Sequence, residues 1–571
     1  TLLEGQIRSN LKNRERLLNS LRAYLMLNMK ERRDTAWLKE WVAADWSVRY
    51  AGNAEVQNGL NTHVERLLKQ PFAYTLDDQL VAQARQVLRS ESLANVVYRM
   101  LREQARSLPE YRLSQHLGPQ GNLFLGTEYV IPGFYTQSGY QQYFSVQSTT
   151  LVTDILEDNW VLGEGPGMSG MDLRRLMVEL EQLYFRDYAN YWGEAVGRVA
   201  LQPINDAAQG AELLAGLTSA NSPMLQLLVE VRDNTRFQAI ADGLEAAGEA
   251  TEALAQKTGK AGKALQAVAG KASQAVAAKL PDTAKKSLQR RFEPLHRLLD
   301  DNNGPAADLT PALQALNDVQ LQLTSLARAS APQQAAYEMT KVRMGGQRDA
   351  LSSLRTASTR LPRPVGAWLN VLAEDTWRLL LDDTYDYLNQ RYQSELYSYY
   401  GKAISKRYPF YAHSTSDVAL SDFRDFFKAQ GIADKFFDNY LRAFVSGDPG
   451  NYRLRSVDGH SVPISKAYLD QMGSAQVIRQ SFFAENPAEP RVQFKLEPYT
   501  LDAAVSRSAF TFGDKVIEYR HGPIVPVAFT WPTDTADGRT SLVLDKMVGR
   551  PVGIEKNTGA WSLFRLFDLM Q

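Results

Sequence analysis

Val492-Gln493-Phe494-Lys495-Leu496 alternates apolar and polar residues without a break. The same period returns at Phe510-Thr511-Phe512, at Val527-Ala528-Phe529-Thr530-Trp531 and at Leu542-Val543-Leu544. Successive side chains of an extended chain point to opposite faces, so this spacing reads as strands. Pro and Gly punctuate the runs at short intervals and supply turns. The closing segment, Trp561 to Phe567, is grouped with these runs. Residues 488–571 are therefore expected to form an all-β, sandwich-like domain.

Upstream of Pro487 the period is helical. Leu17, Leu18, Leu21, Leu25 and Leu27 lie at largely helix-compatible spacing, and Trp37 and Trp41 share a side at i, i+4 while Trp46 points elsewhere. Leu173, Leu176, Leu180, Leu183 and Tyr184 mark one face of a long amphipathic helix. Phe423, Phe426 and Phe427, then Phe436, Phe437, Tyr440, Leu441 and Phe444, make two aromatic stripes expected to be core, with Gly431 as a C-cap. Ile131-Pro132-Gly133-Phe134-Tyr135-Thr136-Gln137-Ser138-Gly139-Tyr140 interrupts the helices. Pro132 fixes φ and the two glycines permit turns, which suggests a rigid aromatic loop for packing or recognition. Residues 238–280 shift to Ala, Gly, Lys and Gln with few large apolar groups, the composition of a mobile helical arm. The expected class is mainly α with a C-terminal all-β domain, in an elongated multidomain chain. Its expected parts are 1–203, helical with an aromatic Pro/Gly loop region at 117–170; 204–400, helical with the arm; 401–487, small and aromatic; and 488–571.

Composition excludes more than it suggests. In 571 residues, 44% are hydrophobic and 22% charged, and Lys+Arg and Asp+Glu both number 64. That overall balance offers no electrostatic case for nucleic acid or an anionic membrane surface and leaves only local patches open. With no cysteine there are no disulfides, thiolate nucleophiles or Cys-based metal sites. The six histidines, His63, His116, His296, His413, His460 and His521, never pair at i+3 or i+4, so no zinc motif exists. Gly165-Pro-Gly167-Met-Ser169-Gly170 matches G-x-G-x-x-G, with Asp187 downstream. It lacks a βαβ context and reads as a loop capped by Ser169. There is no P-loop, and Asp300-Asp301-Asn302-Asn303-Gly304 reads as a turn, not a calcium loop. The acidic pairs Glu157/Asp158 and Asp382/Asp383 read as surface charge. No catalytic, cofactor or metal residue is expected. The chain opens on Thr1 without Met, signal peptide or membrane-spanning run, and is expected to be a fragment.

Several segments, in order, carry a family pattern. They are Leu21-Arg-Ala-Tyr-Leu25-Met-Leu27 with the Trp-rich helix, Ile131-Pro-Gly-Phe-Tyr-Thr136, Asn159-Trp160-Val161, Leu183-Tyr184-Phe-Arg-Asp187-Tyr188 with Tyr191-Trp192, and Ser222-Pro223-Met224-Leu225 with Leu228. After the arm come Arg407-Tyr408-Pro409-Phe410, Asp417-Val-Ala-Leu-Ser-Asp422-Phe423 with Phe426-Phe427, Phe436-Phe437-Asp-Asn-Tyr440-Leu441 and Gly559-Ala-Trp561-Ser-Leu-Phe-Arg565-Leu566. Together they resemble the periplasmic part of the IcmF/TssM family of type VI secretion systems. The resemblance implies an inner-membrane protein whose membrane anchor and cytoplasmic nucleotide-binding-like domain lie outside this chain. It implies a homo-oligomer that forms an envelope-spanning channel with the outer-membrane lipoprotein TssJ, docked on the C-terminal region, and with the inner-membrane protein TssL. The family's nucleotide motif is absent, so ATP binding does not carry over.

The expected role is structural and not enzymatic. Tyr499, Tyr519, Arg520 and Trp531 are the expected exposed partner-binding anchors, with Trp561 and Phe564 in the core. The alternative is a peptidoglycan-binding or -remodelling module that uses acids near the aromatic loops.

Overall fold

A computed structural model describes residues 1–90, 92–157, 160–163, 170–237 and 283–571. The arm at 238–280, the G-x-G-x-x-G match up to Ser169, and Asp158 of the first acidic pair lie outside the described residues. The chain forms two compact units. One comprises Thr1–Gln202, Gly216–Leu313 and Thr359–Trp368; the other comprises Pro203–Ala215, Gln314–Ser358 and Leu369–Gln571.

The first unit is built on the helix Gly170–Gly197. Its residues Leu176, Leu180, Tyr184, Tyr188 and Trp192 recur every fourth position and are all buried. The Ile131–Tyr140 stretch packs against that stripe. The Trp192 indole Nε1 donates to the Tyr135 carbonyl at 2.7 Å, and the Tyr184 hydroxyl donates to the Phe134 carbonyl at 2.5 Å. Phe144 stacks on Tyr184 at 4.0 Å. The loop therefore serves packing, but for a different reason from turn formation. A Cβ on Gly139 would lie 2.1 Å from the Gly133 carbonyl oxygen, and one on Gly133 would lie 2.2 Å from that of Pro109. Close backbone approach, not left-handed φ, demands glycine here. Nearer the start of the chain, Trp37 and Trp41 stack at 5.8 Å, while Trp46 joins the buried cluster of Leu17, Leu21, Leu25, Leu38 and Val42. Asp300 Oδ1 accepts from the amides of Asn302 and Gly304, so that carboxylate closes its own turn.

His296 is buried, with Nε2 2.6 Å from the Thr235 hydroxyl. Burial, aided by Arg236 and Arg232, pulls its pKa down to about 4. The unfolded imidazole titrates near ~6.5, so falling pH protonates the unfolded state first. Stability present above that value is thus lost between pH ~6.5 and ~4. At 1.36 kcal/mol per unit, the loss is roughly 2–4 kcal/mol. Denaturant melts at neutral and acidic pH should show this slope, and His296→Gln should flatten it.

In the second unit, Phe423, Phe426, Phe427, Phe436, Phe437 and Phe444 are buried, as core aromatics should be. Gly431 is not a C-cap. The helix Leu420–Phe427 ends at Lys428, and Gly431 instead precedes the helix Ile432–Phe436. A Cβ there would sit 2.7 Å from the Asp425 carbonyl oxygen. The C-terminal strands are β1 (Val492–Leu496), β2 (Val505–Phe512), β3 (Lys515–Tyr519), β4 (Val527–Trp531), β5 (Thr540–Lys546) and β6 (Val552–Lys556). They form an antiparallel four-stranded sheet in the order β6-β5-β2-β3 and a two-stranded sheet, β1-β4. Phe510 of the larger sheet meets Phe529 of the smaller at 5.6 Å, and Phe512 meets Phe494 at 6.2 Å. The two sheets thus share an aromatic core. The expected mainly α chain with a β-rich C-terminal domain is what the structure shows. One detail differs: Trp561–Phe567 is not a strand. Its apolar residues at 561, 563, 564, 566 and 567 do not alternate, and Ser562–Asp568 is a helix.

Candidate functional site

Strand direction sorts the loops of the β domain to two ends. At the first end β4 finishes in Trp531, whose Nε1 donates to the Ala560 carbonyl at 2.7 Å. Trp561 lies 5.0 Å from Trp531 and 5.1 Å from Phe423, and its Nε1 donates to the Val418 carbonyl at 2.7 Å. Phe482, at the end of the helix Lys466–Phe482, packs on Trp531 at 5.5 Å. Arg565 pairs with Asp417 and donates to the Ser414 carbonyl, and it covers the Tyr408 ring at 4.0 Å. The Tyr408 hydroxyl in turn donates to Asp568 at 2.5 Å. Burial, with that carboxylate, pushes the Tyr408 phenol well above its ordinary range, so it stays a donor. This end is therefore anchored to the helical segments of its own unit.

The other end gathers three loops: 497–504 between β1 and β2, 520–526 between β3 and β4, and 547–551 between β5 and β6. The Met547 amide donates to the Ala504 carbonyl at 2.9 Å, and His521 Nε2 lies 2.6 Å from the Val505 carbonyl. The loops therefore touch one another. Tyr499 and Val548 are 86% and 87% exposed, and Ile524, Val525 and Met547 are exposed beside them. Exposed apolar residues thus stand on all three loops at one end of the domain, and gathered apolar exposure of this kind is what interaction sites present.

Along the side of the larger sheet, β3 is an edge strand paired only with β2 among the described residues. Val516 is exposed on it. Arg507 on β2 ties Glu518 of β3 to Asp545 of β5. That contact holds the Glu518 carboxyl below its usual range. Tyr519 is half-buried and Arg520 exposed, with Arg520 3.9 Å from Glu518.

Tyr499, Tyr519 and Arg520 all belong to the free end. Trp531 does not. As an exposed anchor it must be withdrawn, since it is 1% exposed and sits at the anchored end. The alternation already held the reason, because Trp531 shares a face with the buried Phe529. Ile524, Val525, Met547 and Val548 were missed. Their signal was apolar pairs set inside Pro/Gly turns and outside the alternating runs. Of the remaining acidic pair, Asp383 is half-buried on the helix Val365–Tyr392, and burial, Asp386 and Asp382 raise its pKa. Among the described residues no three metal-ligating side chains converge, and no helix is long and apolar enough to cross a membrane.

Three family models match in chain order. The IcmF-related model ("intracellular multiplication and human macrophage-killing") covers residues 1–236, the type VI secretion protein IcmF helical domain covers 384–488, and the IcmF C2-like domain covers 494–571. Type VI secretion system component TssM1 of Pseudomonas aeruginosa is 28% identical over 581 aligned positions, which take in 100% of this chain and 52% of that protein. The chain thus spans about half the length of this curated relative. Among solved structures, one described as a type VI secretion system membrane core complex aligns with a TM-score of 0.55 at 19% identity, over 84% of this chain and 88% of that one. Another, a type VI membrane complex, aligns with a TM-score of 0.53 at 19% identity, over 83% of each. At these identities the likeness speaks for the fold. With all three models and a relative along its whole length pointing the same way, the chain belongs to the IcmF/TssM family of type VI secretion proteins.

Proposed function

We propose that this chain is a structural, non-enzymatic part of a type VI secretion membrane core complex. It works in the periplasm, assembles with further copies of itself and binds the outer-membrane lipoprotein TssJ. Its partnership with the separate inner-membrane protein TssL is that of the full-length protein, which also carries the membrane anchor. One observation carries the reading: the β domain is fixed at one end by a buried aromatic cluster, and its edge strand β3 stands open. An open edge presents a row of backbone donors and acceptors, which makes it a docking element. Lys515 and Glu518 place charges along this edge, which disfavours promiscuous pairing and leaves room for a matched partner. Tyr519 and Arg520 at its end are residue types that anchor interfaces.

The test is TssJ binding to the purified chain by calorimetry. Tyr519→Ala combined with Arg520→Glu should weaken binding at least ~10-fold, or about 1.4 kcal/mol. Unchanged affinity would move the lipoprotein site away from this edge.

A further inference from the structure

The three-loop end has chemistry that a protein partner does not explain well. Its exposed apolar residues come as neighbours in the chain, Ile524 with Val525 and Met547 with Val548, and Tyr499 stands alone on the third loop. Adjacent residues on a turn diverge, so exposing both members makes a convex wedge, not a flat face. A folded partner would need a deep matching cleft for each wedge. A fluid lipid surface needs none.

The backbone at these tips is also unusual. Pro523 and Pro526 bracket Ile524-Val525, Pro498 precedes Tyr499, and Pro551 closes the Met547–Val548 turn. Proline has no N–H, so each one removes a donor that would be costly to carry into an apolar medium. The Met547 amide is already bonded to Ala504.

The flanking charges fit as well. Lys546 and Arg550 adjoin the Met547–Val548 tip and are exposed, and neither forms an ion pair among the described residues. They sit where anionic phosphates of lipid headgroups would lie. Four acids share this end. Glu518 and Asp545 are held by Arg507, and Asp502 accepts from the Ala504 amide at 2.8 Å. Glu497 lies at the base of its loop, next to β1.

We propose that this end of the β domain inserts its apolar tips into the interfacial layer of a phospholipid bilayer, with Lys546 and Arg550 on headgroup phosphates and Tyr499 at headgroup level. Arg520 opens one of these loops, but the inserted tips, Ile524-Val525 and Met547-Val548, lie beyond the β3 edge, and the lipid reading does not rest on the lipoprotein reading.

The experiment is co-sedimentation of the purified chain with vesicles of phosphatidylethanolamine and phosphatidylglycerol. The unaltered chain should pellet with vesicles. Val525→Asp with Val548→Asp should cut the bound fraction at least ~10-fold, since a charge at an inserted tip must be desolvated. Both positions are exposed, so circular dichroism should show an unaltered fold. TssJ affinity in the absence of lipid should not change, while Tyr519→Ala, which leaves the charge at this end unaltered, should weaken TssJ binding and leave vesicle binding intact. The proposal is overturned if the unaltered chain stays in the supernatant or if the double aspartate variant pellets equally well. It is also overturned if that variant loses TssJ binding without lipid, because the wedge would then be a protein site.

Discussion

Trp561→Ala is expected to destabilise the second unit by about 3–5 kcal/mol, the range for deleting a buried large aromatic. The indole is 1% exposed and lies between Trp531, Phe564 and Phe423. Its removal opens a cavity in a place where neighbours from two parts of the unit meet and cannot both collapse inward. It also leaves the Val418 carbonyl without its donor, adding about 1 kcal/mol or more. Equilibrium denaturation should show the midpoint shift. It should also separate into two transitions, since this cluster couples the sheets to the helices. Trp561→Phe keeps most of the packing and loses the hydrogen bond, so it should fall well short of the alanine effect. A single transition moved by under ~1 kcal/mol would mean the coupling lies elsewhere.

Arg343→Met should cost about 2–4 kcal/mol, somewhat less than the 3–5 typical of breaking a fully buried pair. The guanidinium is 2% exposed and lies 4.4 Å over the Trp377 ring. It pairs with Asp349 at 3.2 Å and with Asp458 at 2.6 Å. Two features soften the loss. Asp458 keeps Arg355 at 3.4 Å, and Asp349 still accepts from Ser352. The network extends through Arg355 and Glu374 to His460. Asp458 holds a left-handed φ of 52°, a conformation that Asp tolerates better than most residues other than Gly, so these pairs also fix a tight turn. Arg343→Met joined to Asp458→Asn should recover part of the loss, because it removes the stranded charge. Thermal melts of the single and double variants measure the coupling. Simple additivity would show that the pair does not interact.

What the sequence made legible followed chain period. The β2, β4 and β5 runs, the helix through Tyr184 and Trp192, and the two Phe stripes all rest on spacing that any sheet or helix must obey. The family resemblance rested on ordered motifs. What escaped depends on contacts between distant residues. Gathering 497–504, 520–526 and 547–551 requires the strand order, which no local window contains. His296 stands at helical spacing from the apolar Phe292 and Leu299, but its low pKa arises from the packing of the first unit around it. Gly133 and Gly139 were noticed, but their purpose was misread, because close approach of carbonyls is invisible without coordinates. Trp531 was a different kind of miss. Its phase with Phe529 already placed it inward.

The seven-residue register of β2 against β5, Val505 to Phe512 alongside Thr540 to Lys546, runs lengthwise between the anchored end and the free end. Hydrogen bonds of an antiparallel ladder lie across the strands. A tug on the loop tips, directed away from the tryptophan cluster, would thus load that ladder in shear. Its cross-strand bonds would share the strain at once instead of opening one by one like a zipper. A domain held this way resists tension along its length far better than a sideways peel at β3 or β6.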